Sequence, residues 1–141
     1  MFTPDPNIIA LSVRQPWAEL ILRGIKTIEV RSLDTQVRGA IYIYASKKLS
    51  DLPAATVAAR QHDLDLDTLP CGLLVGSVDL HATRPATAAD AAAACVPATV
   101  LRQHYAWQIR DPQRFTPPLA VRFLPYGVWF YPFRRRGQSQ A

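Results

Sequence analysis

The chain is poor in metal-binding and redox residues. It has one methionine, two cysteines and three histidines among 141 residues, and no apolar run approaches the roughly 18 residues a membrane-crossing helix needs. Cys71 and Cys95 are too few for a disulfide scaffold, and neither has a second cysteine or a histidine at ligand spacing. They read as free thiols in a reducing compartment. His62, His81 and His104 lack i,i+4 partners, which argues against a histidine metal centre and a histidine-based nuclease. Only His104, next to Tyr105, is kept as a candidate ligand contact. The run Asp63-Leu-Asp-Leu-Asp67 starts like a calcium loop, but Thr68 stands where glycine is needed and Leu74 where glutamate is needed. There is no phosphate-binding glycine loop, dinucleotide fingerprint or nucleophile elbow. Neither a metal nor a cofactor is expected. The opening MFTPDPNIIA has no basic stretch followed by an apolar one, so a cytoplasmic location is expected.

What is present is an ordinary globular composition, 49% hydrophobic and 19% charged, at a length typical of one domain. A single domain over residues 1–133 and a basic polar tail over 134–141 are expected. The formal charge is +5, of which Arg134, Arg135 and Arg136 supply three, leaving about +2 on the body. The tail reads as a solubilising end or, alternatively, as a disordered basic arm. Lysine and glutamate are scarce: Lys26, Lys47, Lys48, Glu19 and Glu29 are all there are. Two of these five, Lys26 and Glu29, fall with Arg31 in the short stretch RGIKTIEVRS, residues 23–32.

Residues 8–14 alternate as a strand. A short helix follows, with Pro16 suited to its first position, Trp17, Leu20 and Ile21 on one face, a Glu19–Arg23 pair and a left-handed cap at Gly24. Residues 26–32 and 38–46 read as strands. Ser50 is placed to cap a second helix running to about Gln61, with Leu52, Ala55 and Ala59 buried. Residues 72–84 form a long strand candidate in which Gly76 signals a bulge. The Ala-rich segment 86–95 reads as a surface helix or loop. Three more strand-like runs follow, at 104–111, 114–124 and 126–133. The class is therefore α+β, with about six strands and two or three helices, the strands curling into one barrel-like sheet.

Period-two alternation in the charged stretch sends Ile28 and Val30 to one face and Thr27, Glu29 and Arg31 to the other. Since the apolar face must be the core, the polar row faces solvent or a wet cleft. Lys26 shares the parity of the core residues but stands at the start of the strand, where the chain can still turn it toward the cleft. A solvated Glu29–Arg31 pair would explain these residues without any site.

The stretch LSVRQPWAELILRGIKTIEVRS, residues 11–32, resembles the signature of the ASCH domain family, with its L-S-x-x-Q-P-[WY]-A opening and G-x-K-T-x-E-x-R continuation. Tyr105-Ala106-Trp107 and Gly127-Val128-Trp129 are similar to later family motifs. The resemblance implies a PUA-like mixed or antiparallel β-barrel and a cleft that binds RNA or a nucleotide or nucleoside. Carried over by residue, it implies a site of Lys26, Glu29 and Arg31, with Arg14, Gln15, Trp17 and Thr27 beside them and Ser46 and Lys47 on the rim. These types suit a nucleotide: cations for phosphate, Gln or Glu for a base edge, an aromatic ring for stacking. Helical spacing also marks Trp17 as a core residue, and Trp107 and Trp129 read as barrel filling.

Some relatives of this kind are amidohydrolases of N4-acetylcytidine with a K-T-x-T-x-R motif. The chain keeps Lys26 and Arg31 but has Glu29 where that motif has its nucleophilic threonine. The alternative to a binding domain is thus a hydrolase, amidohydrolase or ribonuclease, in which Glu29 or a deprotonated Lys26 activates water and Arg31 or Arg14 stabilises the oxyanion.

Overall fold

The computed structural model describes residues 3–135. Its six strands are β1 (Ala10–Val13), β2 (Ile28–Arg31), β3 (Gly39–Ala45), β4 (Leu73–Pro85), β5 (Tyr105–Leu119) and β6 (Trp129–Phe130). They form one sheet in the order β2-β5-β4-β3-β1-β6. β1 runs parallel to β3, and every other neighbouring pair is antiparallel. The sheet curls into a half-barrel, the α+β architecture expected. Four short helices accompany it, α1 (Trp17–Leu22), α2 (Pro53–Gln61), α3 (Ala91–Ala94) and α4 (Ala98–Leu101), with a 3₁₀ turn at Ala88–Asp90.

Curling follows from the two long strands. The β4–β5 register shifts three times along their length, and Asp111, at φ +55°, lies inside one of the shifts. Each shift adds local twist and bends the pair. The two runs expected at 104–111 and 114–124 are accordingly one continuous strand, because a bulge absorbs the Asp111-Pro112 break that reads as a turn. Gly76 sits beside a β3–β4 register shift, as expected, and for a steric reason as well. A Cβ there would come within 2.5 Å of Leu22 Cδ2 and closer still to the Gln113 carbonyl oxygen.

β3 buries both faces. Ile41, Ile43 and Ala45 enter the main core under α1, while Tyr42 and Tyr44 pack with Ala10, Phe115 and Phe130 on the other side. α1 begins at Trp17, with Pro16 one position before it. It ends as expected: the Ile25 amide donates to Leu20 O and that of Gly24, at φ +75°, to Ile21 O. Its Glu19 is buried and takes Arg23 together with a two-pronged contact from Arg114 of β5, at 2.8 and 2.9 Å. The sequence shows the first of these partners but not the second.

Three expectations are corrected locally. α2 starts at Pro53, not after Ser50, and Leu52 is exposed while Ala55 and Ala59 are buried. The last strand is limited to Trp129–Phe130. The Ala-rich segment holds the 3₁₀ turn and α3, as expected of a surface helix or loop, and is anchored by Asp90, which accepts from the Thr87 amide and from both ends of the Arg84 guanidinium, all at 2.8 Å. No helix among the described residues is long and apolar enough to cross a membrane. Of the basic tail, Arg136 and the residues after it lie outside the described residues.

Candidate functional site

The cap at Gly24 decides where Lys26 goes. Leu20 O accepts both the Ile25 and the Lys26 amides at 3.1 Å, so the chain doubles back beneath α1 before β2 begins. Lys26 is left only 2% exposed. Its Nζ donates to Ala94 O at the end of α3, lies 3.7 Å from Glu29 Oε1 and stands 5.0 Å from the centre of the Trp17 ring. A helix end leaves carbonyls without partners, and here a buried ammonium uses one of them.

Glu29 and Arg31 occupy alternate positions of β2 and share a face. Glu29 Oε2 accepts from Arg31 Nε at 3.0 Å and from Nη2 at 2.7 Å. The same Nη2 donates to Ser12 O at 2.9 Å, joining the free edge of β2 to β1 across the opening of the half-barrel. Burial pushes the Lys26 amine below its ordinary range, against the opposing pull of the Glu29 carboxylate. Burial alone would raise Glu29, but Arg31 and then Lys26 outweigh it and hold the carboxyl below its usual range. The row is thus an ionised carboxylate held between two cations.

A cleft of ≈ 770 Å³ opens over this row. Arg14, Trp17, Lys26, Glu29, Arg31, Ser46 and Lys47 all line it. Gln15 and Thr27 do not. Gln15 is fully buried and ties the loop before α1 to Pro70 O and to the Glu19 amide. Thr27 is exposed, its backbone bonded to Ala93 O and the Ile109 amide. His104 lies outside the cleft lining, with Nδ1 2.7 Å from Arg102 O. Trp17 is 7% exposed and belongs to the core, offering the cleft only part of its surface. Trp107 and Trp129 stack on each other at 5.7 Å as barrel filling.

Several lining residues were not anticipated. Ser12, Tyr44 and Lys48 belong to or follow β1 and β3, and the wall opposite is formed by Leu124, Pro125, Gly127 and Val128. The parity of Ser12 with Arg14, and of Tyr44 with Ser46, was a usable signal. Nothing local marks residues 124–128; they reach the cleft because Val128 O accepts the Ser12 amide at 2.9 Å. Two polar features in the lining stand out. Ser12 and Ser46 hydroxyls are 3.0 Å apart, and the buried Tyr44 hydroxyl has no hydrogen-bond partner among the described residues. Burial raises the Tyr44 pKa, so it stays protonated at neutral pH and can donate.

The fold and the cleft together define a small α+β domain with a curled mixed sheet and a cation-lined opening. The ASCH domain family matches residues 11–119, and the chain belongs to that family. The human protein activating signal cointegrator 1 is 43% identical over 77 residues, and its mouse counterpart 42%. The match covers 50% of this chain and only 13% of either relative. Among solved structures, ASCH from Zymomonas mobilis superposes with a TM-score of 0.60 at 18% identity, covering 90% of this chain and 88% of that one. A serine-to-alanine variant of the same protein gives 0.58 at 19%, covering 92% and 90%. At such identities the likeness speaks for the fold alone.

Proposed function

We propose that the cleft binds RNA, or a nucleotide or nucleoside, around Lys26, Glu29 and Arg31. The observation that carries this reading is the arrangement of charge. A rigid buried row forms the floor, while Arg14, Lys47 and Lys48 stand at the mouth. Lys47 and Lys48 are exposed and have no carboxylate partner among the described residues, and Arg14 meets the exposed Asp51 only at 3.9 Å. Exposed cations at the rim suit phosphate, and the apolar walls of Trp17, Val96, Val100, Leu124 and Val128 suit a heterocyclic ring. The cleft volume is in the range of ligand pockets, roughly 300–1,000 Å³. Glu29 binds no phosphate; its part is to hold the buried Lys26 and the half-buried Arg31 in place. Ser46, with Ser12 and Tyr44, supplies hydrogen bonds to the ligand.

Titration with nucleoside 5′-monophosphates and with single-stranded RNA tests this. Measurable binding is expected, weakened at least about ten-fold in Lys47→Ala/Lys48→Ala and in the apolar replacement Lys26→Met. If neither probe binds, or if both variants bind as the parent does, the reading fails.

A hydrolytic reading has one observation in its favour, the lowered proton affinity of Lys26 beside the cleft. Lys26 would then be the base and Arg31 or Arg14 the oxyanion partner. Glu29, held ionised chiefly by Arg31, is a weak base, and Thr27, outside the cleft, offers no nucleophile. Incubation with N4-acetylcytidine and with unstructured RNA decides: turnover lost in Lys26→Met supports catalysis, and unchanged substrates support a binding domain.

A further inference from the structure

Among the described residues, six arginines of the chain meet an acid within 4.0 Å, while Arg38, Arg60 and Arg102 do not. Arg84 pairs with Asp90, Arg110 with Asp79, Arg23 and Arg114 with Glu19, and Arg14 weakly with Asp51. The C-terminal part has no acid of its own. No aspartate, glutamate or lysine occurs after Asp111, and the remaining charged side chains are Arg114, Arg122, Arg134, Arg135 and Arg136.

Arg114 is taken up by Glu19, but Arg122 and Arg134 have no carboxylate within 4.0 Å among the described residues. Both lie over aromatic rings instead. Arg134 stands 3.7 Å from the centre of the Tyr131 ring, with Nη1 3.3 Å from Asn7 Oδ1, and Arg122 stands 5.2 Å from that of Phe123. The Arg122 and Phe123 amides both donate to Pro132 O at 3.0 Å, which fixes the two flanks side by side. Between these flanks in sequence are the residues of the cleft wall, Leu124, Pro125, Gly127 and Val128, with Tyr126 42% exposed among them. Arg122 is two residues from Leu124, at most ~7 Å along the chain. The unanswered cations therefore begin at the lip of the cleft.

Guanidinium groups held on ring faces and free of carboxylates suit the phosphates of a nucleic-acid backbone, and the exposed Tyr126 ring nearby suits an unstacked base. We infer that the cleft holds one unit of a single-stranded polynucleotide whose adjoining phosphates lie on Arg122 and Arg134. This rests on the nucleotide reading of the cleft and adds that the ligand is a chain. A mononucleotide would leave this strip empty.

The test compares nucleoside 5′-monophosphates with single-stranded RNA and DNA hexamers, for the full chain and for Arg122→Gln/Arg134→Gln, which keeps much of the side-chain stems. In the parent, hexamers bind at least ten-fold more tightly than monophosphates. Two phosphate contacts steepen the salt dependence by about 1.4 in log–log slope, an extra loss of about seven-fold between 50 and 200 mM salt. In the double variant that increment and extra slope disappear while monophosphate affinity stays unchanged, and Arg122→Lys/Arg134→Lys restores the slope. Monophosphate binding with no gain on lengthening overturns the chain proposal and leaves the nucleotide reading standing. A gain that survives in the glutamine variant also overturns it. Binding of none of the probes refutes both.

Discussion

Replacing Glu29 by glutamine removes one negative charge and almost no volume from a row in which two cations depend on it. The Lys26 amine, 2% exposed and 3.7 Å from Glu29 Oε1, loses its counter-charge. At an effective dielectric near 20, an attraction across that distance is about 4–5 kcal/mol. Breaking a buried pair from one side costs about 3–5 kcal/mol. Glutamine keeps an oxygen for Arg31, so about 3 kcal/mol is expected, or roughly 10 °C in Tm for a domain of this size. The double change Lys26→Met/Glu29→Gln removes the stranded charge too and should recover at least half of that loss. The pH dependence supplies a second check. Lys26 has its proton affinity lowered on folding, so the unfolded chain binds more protons and stability rises with pH toward the ordinary lysine value of 10.5. Without Glu29 the amine is lowered further, and the rise between pH 7 and 10 becomes steeper than in the parent. Urea unfolding of the parent and the two variants across that range measures all of this. A Glu29→Gln protein within 0.5 kcal/mol of the parent, with an unchanged pH profile, would refute the account of a coupled buried row.

Two further outcomes follow from the fold. Gly76→Ala puts a methyl group against Leu22 and the β5 backbone, and since the backbone cannot yield without breaking the β4–β5 ladder, about 3 kcal/mol of stability should be lost in chemical unfolding. Asp90 is held at about 2 against 3.8, first by Arg84 and then by the Thr87 amide. Its folded-state value is depressed, so the associated stability, about 2 kcal/mol, is complete above pH 4 and disappears as pH falls toward 2. Acid unfolding should show Asp90→Asn clearly weaker than the parent at pH 6 and equal to it at pH 2.

Much of this was legible in the residues because local rules governed it. The helix face of Trp17, Leu20 and Ile21, the Gly24 cap and the alternation of Ile28 with Glu29 depend on neighbours within a few positions. The β5 strand was read as two because a bulge is a tertiary event: only pairing with β4 shows that Asp111 and Pro112 leave the ladder without ending the strand. Leu52 was expected inside on helical spacing, but α2 starts after it, and the cleft wall takes it instead. Gln15 and Thr27 matched the motif by position, yet a residue's place in a motif does not fix where its side chain turns.

The sequence by itself determined the class of fold, the family likeness and the concentration of scarce Lys and Glu in one stretch, since periodicity and caps act over a few residues. The tertiary structure alone decided that Lys26 is buried against Ala94, that Arg31 bridges to Ser12, and that residues 124–128 close the cleft. Those contacts join segments between 19 and 68 residues apart in their hydrogen bonds, and farther in the cleft wall. Sheet curvature and loop docking set them, and no short-range pattern encodes either.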